Sequence, residues 1–348
     1  MSAGPSTAPG TTAPGTTAPA DPASGGGRPV TMTVAHREVL DALVSAGVPD
    51  GARAVLWDVA APLGEQSATA GVRPEDVDVV VVPNYGASRV LLARLAALPN
   101  LSVVQLPSAG FEHALPHIDP AVTVCNGRGV HDAGTAELAL ALTLASQRGL
   151  DDAVRDAAAG QWAPRLRSSL ADRRVMVLGY GAIGAAVARR LRAFEAEVVP
   201  VASAPREDDG ERVHGVAEVH DLLPPVDIVI VTLPLTPETE HLVDARFLAA
   251  MANGALVVNV GRGRVVDTSA LVAELESGRL RAALDVTDPE PLPPEHPLWR
   301  VPGVIVTPHL GGYTDATTPR LARLLRRQLV ELVAGREPLN VVRPGTSV

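Results

Sequence analysis

Cysteine is almost absent from the chain: among 348 residues there is only Cys125. No internal disulfide and no cysteine-based metal site can form, which fits a reducing compartment, so the cytoplasm is the expected location and no metal is expected. Aromatic residues make up only 3%, and the abundance of alanine, valine and leucine favours layered α/β packing through small side chains. Positive charge is not in excess. The formal net charge is -9 and the pI is near 5.5, which speaks against nucleic acid or an anionic membrane as partner. Long apolar runs are missing too, since a stretch such as Ala139–Ala145 is far too short to span a bilayer.

Large apolar side chains are also nearly absent from Met1–Pro29, which repeats Thr-Ala-Pro-Gly and ends in Gly25-Gly26-Gly27. Such a segment has too little to bury to offset its ordering entropy, so residues 1–29 are predicted to form a disordered tail. It lacks the basic start and apolar centre of a secretory signal. With the sequence ending at Val348, no added regulatory domain is expected.

What is present is organised around Val175–Gly184, Val-Met-Val-Leu-Gly-Tyr-Gly-Ala-Ile-Gly. A short apolar strand runs into a glycine-punctuated turn and then a helix at Ala185–Phe194. Gly179 suits the tight turn, Gly181 lets backbone approach a pyrophosphate, and Gly184 lets helix and strand pack closely. Ala182 and Ile183 lie where the unpaired N–H groups of a helix start stabilise an anion. Alone, the glycine pattern also suits a structural turn; the strand before it and the helix after it favour a dinucleotide site.

Before this turn, a helix at His36–Ala46 and strands at Ala54–Trp57, Val77–Val82, Leu101–Leu106 and Val122–Cys125, with a helix at Ser88–Leu98, read as a small parallel α/β unit. The loops Pro83-Asn84-Tyr85-Gly86 and Pro107-Ser108-Ala109-Gly110 follow strands, where such sheets bind ligands. Thr135–Gln147 is apolar on nearly all sides and reads as a buried connecting helix; Leu150–Asp172 reads as a surface passage. After the turn, Val198–Ala202, Val226–Thr232, Ala255–Asn259, Ala282–Asp285 and Val304–Thr307 read as strands of a doubly wound sheet. The final helix, Thr318–Val333, carries a leucine face and is expected to return to the first unit. The predicted fold is therefore two doubly wound parallel-sheet α/β domains. A Rossmann cofactor domain at 128–314 is inserted into a discontinuous flavodoxin-like substrate domain at 30–127 and 315–348.

Arg262 follows one strand of the second sheet, Asp285 ends the next, Glu290 lies just beyond it and His309 follows the last, all on the carboxyl-end side, where the glycine turn also lies. Singly, each has a structural alternative: a solvated loop cation, a turn acid, a packed imidazole. Together they suit reduction of an anionic carbonyl compound. A planar guanidinium can clamp a carboxylate and polarise a carbonyl. Imidazole can deliver a proton near neutral pH, and a carboxylate on its far nitrogen would orient it and raise its pKa.

These segments resemble the D-isomer-specific 2-hydroxyacid dehydrogenases, from about Val77 to Val342. The matching motifs are Val177–Gly184, Leu233-Pro-Leu-Thr-Pro-Glu-Thr239, Val258-Asn-Val-Gly-Arg-Gly263, Leu284-Asp-Val-Thr-Asp-Pro-Glu-Pro291 and Thr307-Pro-His-Leu-Gly-Gly312. The resemblance implies catalytic roles for Arg262, Glu290 and His309. It implies a substrate-carboxylate loop at Ala109 and Gly110, a nicotinamide contact for Asp285, and cofactor-lining segments at Thr135 and Pro234. It also implies a homodimer, and a small 2-oxo or 2-hydroxy acid as substrate, with the glyoxylate/hydroxypyruvate type expected. Tyr85 is a further substrate candidate, and Phe111, Trp299 and Tyr313 are candidates to shape the side-chain pocket.

One departure bears on the cofactor. Where NAD-preferring members end the second cofactor-domain strand with Asp, this chain has Ala202, followed by Ser203 and Arg206. Nothing there repels a 2′-phosphate and Arg206 and Ser203 could bind one, so NADP is expected in preference to NAD; a relaxed NAD site is the alternative. Rival functions are an NAD(P)-sensing corepressor-like binding protein and a dehydrogenase of another small anion such as phosphite. Formate-specific relatives carry Gln where this chain has Glu290.

Overall fold

The computed structural model describes residues 28–57, 71–83, 89–112 and 114–346, together with residues 1 and 59. Most of the Thr-Ala-Pro-Gly tail and the loop holding Tyr85 lie outside the described residues. Two sheets build the described chain.

In the smaller sheet, β1 (Val30–Val34), β2 (Ala52–Leu56), β3 (Val79–Val81), β4 (Val103–Gln105) and β5 (Thr123–Cys125) are parallel, in the spatial order β2-β1-β3-β4-β5. The last strand, β14 (Val341–Arg343), closes the edge antiparallel to β5. Strands such as Val79-Val80-Val81 are apolar throughout because both faces of a parallel sheet are covered. On one face Val39, Leu40 and Leu43 of α1 (Arg37–Ala46) pack with Leu321, Leu325 and Leu329 of α9 (Thr317–Val333) over Met32 and Val34. On the other, Leu92 of α2 (Arg89–Ala93) joins Trp57, Leu95 and Leu106.

Between these pieces lie α3 (Asp132–Arg148), α4 (Leu150–Ala158) and the larger sheet. That sheet contains β6 (Arg174–Leu178), β7 (Glu197–Ala202), β8 (Arg206–Asp208), β9 (Glu211–Gly215), β10 (Ile228–Val231), β11 (Leu256–Asn259), β12 (Arg281–Leu284) and β13 (Val304–Val306). Its order is β13-β12-β11-β10-β6-β7-β9-β8, parallel except for β8. Side chains alternate across it with period two. Val175 and Val177 pack under α3 and α5 (Ala182–Ala193), whereas Met176 and Leu178 face α6 (Val219–Leu222), α7 (Ala245–Ala250) and α8 (Thr268–Glu276). No helix among the described residues is long and apolar enough to cross a membrane.

Several elements depart from the sequence reading. β1 is not predicted, because Thr31 and Thr33 break its apolar run; both are fully buried, and the Thr31 hydroxyl accepts from Arg53 Nε at 2.8 Å. The β8–β9 hairpin is short and mostly charged or polar, with Val213 its one apolar side chain, so it carries no apolar run. The helix expected at Ser88–Leu98 is α only over Arg89–Ala93 and continues as a 3₁₀ turn over Arg94–Ala97; Ser88 lies outside the described residues. The passage after Leu150 begins as a true helix, α4, with no buried residue. It is pinned by ion pairs from Arg155 to Asp151 and Asp152 and from Arg167 to Asp152.

Candidate active site

The carboxyl ends of both sheets face one cavity of about 730 Å³. Val82 and Pro107, after β3 and β4, wall one side; Val260, Asp285 and His309, after β11, β12 and β13, wall the other. Arg262, Glu290, Ala109, Gly110, Thr135 and Ile183 also line it. Gly179, Gly181, Ala182, Gly184, Ser203, Arg206 and Pro234 do not. They lie beyond it, along the glycine turn and the strand ends beside it. Tyr85 lies outside the described residues. Of the proposed pocket aromatics only Tyr313 lines this cavity. Phe111 packs against the core of the smaller sheet, and the Trp299 indole donates to the Pro293 carbonyl at 2.9 Å.

His309 Nδ1 donates to Glu290 Oε1 at 2.6 Å. That bond holds the imidazole above its ordinary pKa against the opposing effect of burial, and the Glu290 carboxyl is held below the carboxylate range by the same contact. Asp285 adds negative field that raises His309 further, while Arg262 lowers it. The residue carrying this ring has φ 55, a left-handed backbone that is strained for a side chain other than glycine. Asp285 over-determines it. Its buried carboxylate accepts from Thr307 Oγ1 at 2.6 Å, Leu310 N at 2.7 Å and Gly311 N at 2.9 Å, and its carbonyl accepts from His309 N at 2.9 Å. Thr135 supports the same loop from α3, its hydroxyl donating to the Gly311 carbonyl at 3.1 Å.

Arg262 reaches the cavity from the loop after β11, with Nη1 donating to the Gly261 carbonyl at 2.7 Å. Its guanidinium lies against Gly110. There the Ala109 carbonyl accepts from Asn126 and the Gly110 carbonyl from Ser108, whereas the N–H groups of Ala109 and Gly110 have no acceptor among the described residues. Two free donors beside a guanidinium form an anion site.

The glycine turn is built for close backbone approach. Gly179 has φ 111, and a Cβ at Gly184 would stand 2.2 Å from the Gly179 carbonyl oxygen. Gly181 faces open space, with nothing within 4 Å of a Cβ there. The N–H groups of Ala182, Ile183 and Gly184 precede the first bond of α5 and find no acceptor among the described residues. Open backbone and helix-start donors fit a pyrophosphate.

Residues 140–311 match the family model described as "D-isomer specific 2-hydroxyacid dehydrogenase, NAD binding domain". A glyoxylate reductase of Thermofilum pendens is 35% identical over 262 residues, 71% of this chain and 76% of that one. The chain belongs to the D-isomer specific 2-hydroxyacid dehydrogenase family. It is an NAD(P)-dependent oxidoreductase with that family's two parallel-sheet α/β units. Among solved structures, a family member from Xanthobacter autotrophicus in complex with NADPH and MES superposes with a TM-score of 0.75 at 30% identity, covering 91% of this chain and 98% of that one. The NADPH-dependent glyoxylate/hydroxypyruvate reductase of Sinorhizobium meliloti, in complex with NADP and malonate, gives a TM-score of 0.69 at 28% identity, covering 92% and 100%.

In this dehydrogenase β7 closes on Ala202 without an acid, and Ser203 is exposed. Arg206 turns back over the glycine turn, with Nη2 donating to the Tyr180 carbonyl at 2.8 Å and the guanidinium 5.9 Å from the Tyr180 ring centroid. One cavity residue escaped the sequence reading. His131 directly precedes α3 and is 8% exposed.

Proposed function

We propose that this dehydrogenase reduces a small 2-oxo acid of the glyoxylate/hydroxypyruvate type to the D-2-hydroxy acid, using NADPH in preference to NADH. The observation that carries the reading is the convergence of Arg262, the His309–Glu290 pair and the free Ala109 and Gly110 donors on one cavity. Residues 30–127 and 315–348 serve as the substrate-binding domain and 128–314 as the cofactor domain.

The substrate carboxylate rests on the Ala109 and Gly110 N–H groups and on Arg262, whose second face polarises the 2-oxo group. The bound nicotinamide supplies the hydride to the carbonyl carbon. His309, held protonated by Glu290, donates its Nε2 proton to the developing alkoxide and is recharged from solvent. Asp285 and Thr135 keep the His309 loop in place, and Gly179 to Gly184 bind the pyrophosphate. Ser203 and Arg206 receive the 2′-phosphate, and Pro234 lines the cofactor. The named activities of the Thermofilum and Sinorhizobium relatives support the substrate class, and NADP in the Sinorhizobium complex supports the cofactor.

A homodimer in the cytoplasm belongs to the same reading. Leu150, Val154, Trp162 and Leu166 are all exposed along α4 and the arm after it, the last two almost completely. Large apolar side chains left exposed along one segment suit a protein interface, and a second copy of the chain is the partner the family resemblance implies.

The test is a panel of glyoxylate, hydroxypyruvate, pyruvate, phenylpyruvate and branched 2-oxo acids with NADH and with NADPH. Turnover of the small acids to D-products supports the reading. Tight nucleotide binding without turnover of any of them would favour a sensor.

A further inference from the structure

The two backbone donors that carry the substrate carboxylate in the reading above belong to the loop after β4, and that loop is held from behind by the segment after β5. Ala109 and Gly110 line the cavity, whereas Asn126 and Gly127 do not. The Gly127 N–H donates to the Ser108 carbonyl at 2.7 Å, and Asn126 Nδ2 donates to the Ala109 carbonyl at 2.8 Å. Both peptide bonds involved are trans, and in a planar trans peptide the N–H points opposite to the C=O. Fixing the Ser108 carbonyl therefore fixes the Ala109 N–H, and fixing the Ala109 carbonyl fixes the Gly110 N–H. Each is turned away from the segment after β5. The next donor is withdrawn, because the Phe111 N–H is taken by Glu112 Oε2 at 2.9 Å.

Asn126 is buried, and its side-chain amide has one workable orientation. Oδ1 accepts from the Arg128 N–H at 3.2 Å; turning the amide over would set donor against donor there and acceptor against acceptor at Ala109. Its backbone is tied on both sides. The N–H donates to the Asn340 carbonyl at 3.0 Å, and the carbonyl accepts from the side chain of the fully buried Gln105 at 2.9 Å. At Gly127 the segment comes so close to the loop that a Cβ would stand 2.0 Å from the Pro107 carbonyl oxygen. A side chain held this firmly behind the loop acts on a ligand in the cavity through the peptide it holds.

We propose that Asn126 is a positioning residue that aims the Gly110 N–H at the carboxylate of the bound 2-oxo acid. This rests on the 2-oxo acid reductase reading and adds a residue to its machinery. The carboxylate keeps its charge from substrate to product, so a bond to it is equally strong in the ground state and in the transition state. Uniform binding of that kind sets KM and leaves kcat alone. Loss of Asn126 therefore shows in KM, unlike loss of His309, which acts on the forming alkoxide and shows in kcat.

The experiment measures three quantities in the wild type, Asn126→Ala and Asn126→Leu: kcat and KM for glyoxylate with NADPH, the Kd of the unreactive analogue oxamate for the NADPH complex, and the Kd of NADPH alone. Asn126→Leu fills the same space without a donor, so it separates loss of the bond from opening of a cavity. In both variants KM and the oxamate Kd are expected to rise together by about tenfold or more, as expected for one hydrogen bond to a charged group. The kcat and the NADPH Kd should stay within a few-fold of the wild type. Unchanged KM and oxamate binding overturn the proposal. So does a loss of kcat or NADPH affinity as large as the rise in KM, or failure of both variants to fold, since Asn126 would then support the domain and not the aim of one peptide. If the wild type neither reduces a 2-oxo acid nor binds oxamate, the underlying reductase reading fails instead.

Discussion

Gly110 and Arg262 share one space: the position of a Cβ on Gly110 lies 1.8 Å from Arg262 Nη2. The guanidinium is the far end of a flexible side chain, so an added methyl group would displace it at little cost to the fold. It would, however, remove the clamp from beside the Ala109 and Gly110 donors. Gly110→Ala is therefore expected to keep its thermal midpoint within a few degrees and to lose about a hundredfold in kcat/KM, as expected for loss of a preorganised charge-stabilising donor. NADPH affinity, measured by fluorescence titration, should change little. Retained kcat/KM would mean that Arg262 is not the clamp.

The pH dependence of reduction follows from the 2.6 Å contact between His309 and Glu290. Reduction needs the protonated imidazole, so kcat/KM is lost as pH rises through the raised His309 pKa. Glu290→Gln removes the carboxylate charge and lowers that pKa, moving the alkaline limb of the reduction profile to lower pH. Oxidation of the D-hydroxy acid needs the neutral ring, and its acidic limb should move the same way. Unchanged profiles in both directions would separate Glu290 from the histidine's titration.

Cofactor choice is expected to turn on the end of β7. A charge-assisted contact between Arg206 and a 2′-phosphate would contribute about 1.5–3 kcal/mol, or roughly ten- to a hundredfold in preference. To make it, Arg206 must leave the Tyr180 carbonyl, which offsets part of that gain. Arg206→Ala is expected to weaken NADPH and barely touch NADH, and Ala202→Asp should reverse the preference by repelling the phosphate. Equal or higher kcat/KM with NADH in the wild type would leave Arg206 as a cover for the turn alone.

The repetitive part of the fold was legible in the sequence because parallel strands are apolar on both faces and helices return at helical spacing. The strand ends that carry Arg262, Asp285 and His309 could be read the same way, since sheet topology fixes where such ends point. Elements held by polar contacts were not. β1 contains two buried threonines, β8 is exposed and charged, β9 has Val213 as its one apolar side chain, and β14 pairs antiparallel with β5, far away in sequence. His131 was missed because an isolated histidine carries no motif, and its contact with Gly312 lies far away in sequence. Asp285 was expected against the nicotinamide, but its three bonds to the His309 loop depend on a left-handed turn that no local pattern announces.

Proton delivery by His309 is tested most directly by single-turnover reduction of glyoxylate with NADPH in the wild type and in His309→Gln, with NADPH affinity measured in parallel. General acid catalysis typically contributes about a hundredfold or more, so the variant is expected to slow by at least that factor while its NADPH Kd stays nearly unchanged. A variant that reduces glyoxylate within a few-fold of the wild-type rate would contradict the assignment and leave His309 a structural histidine.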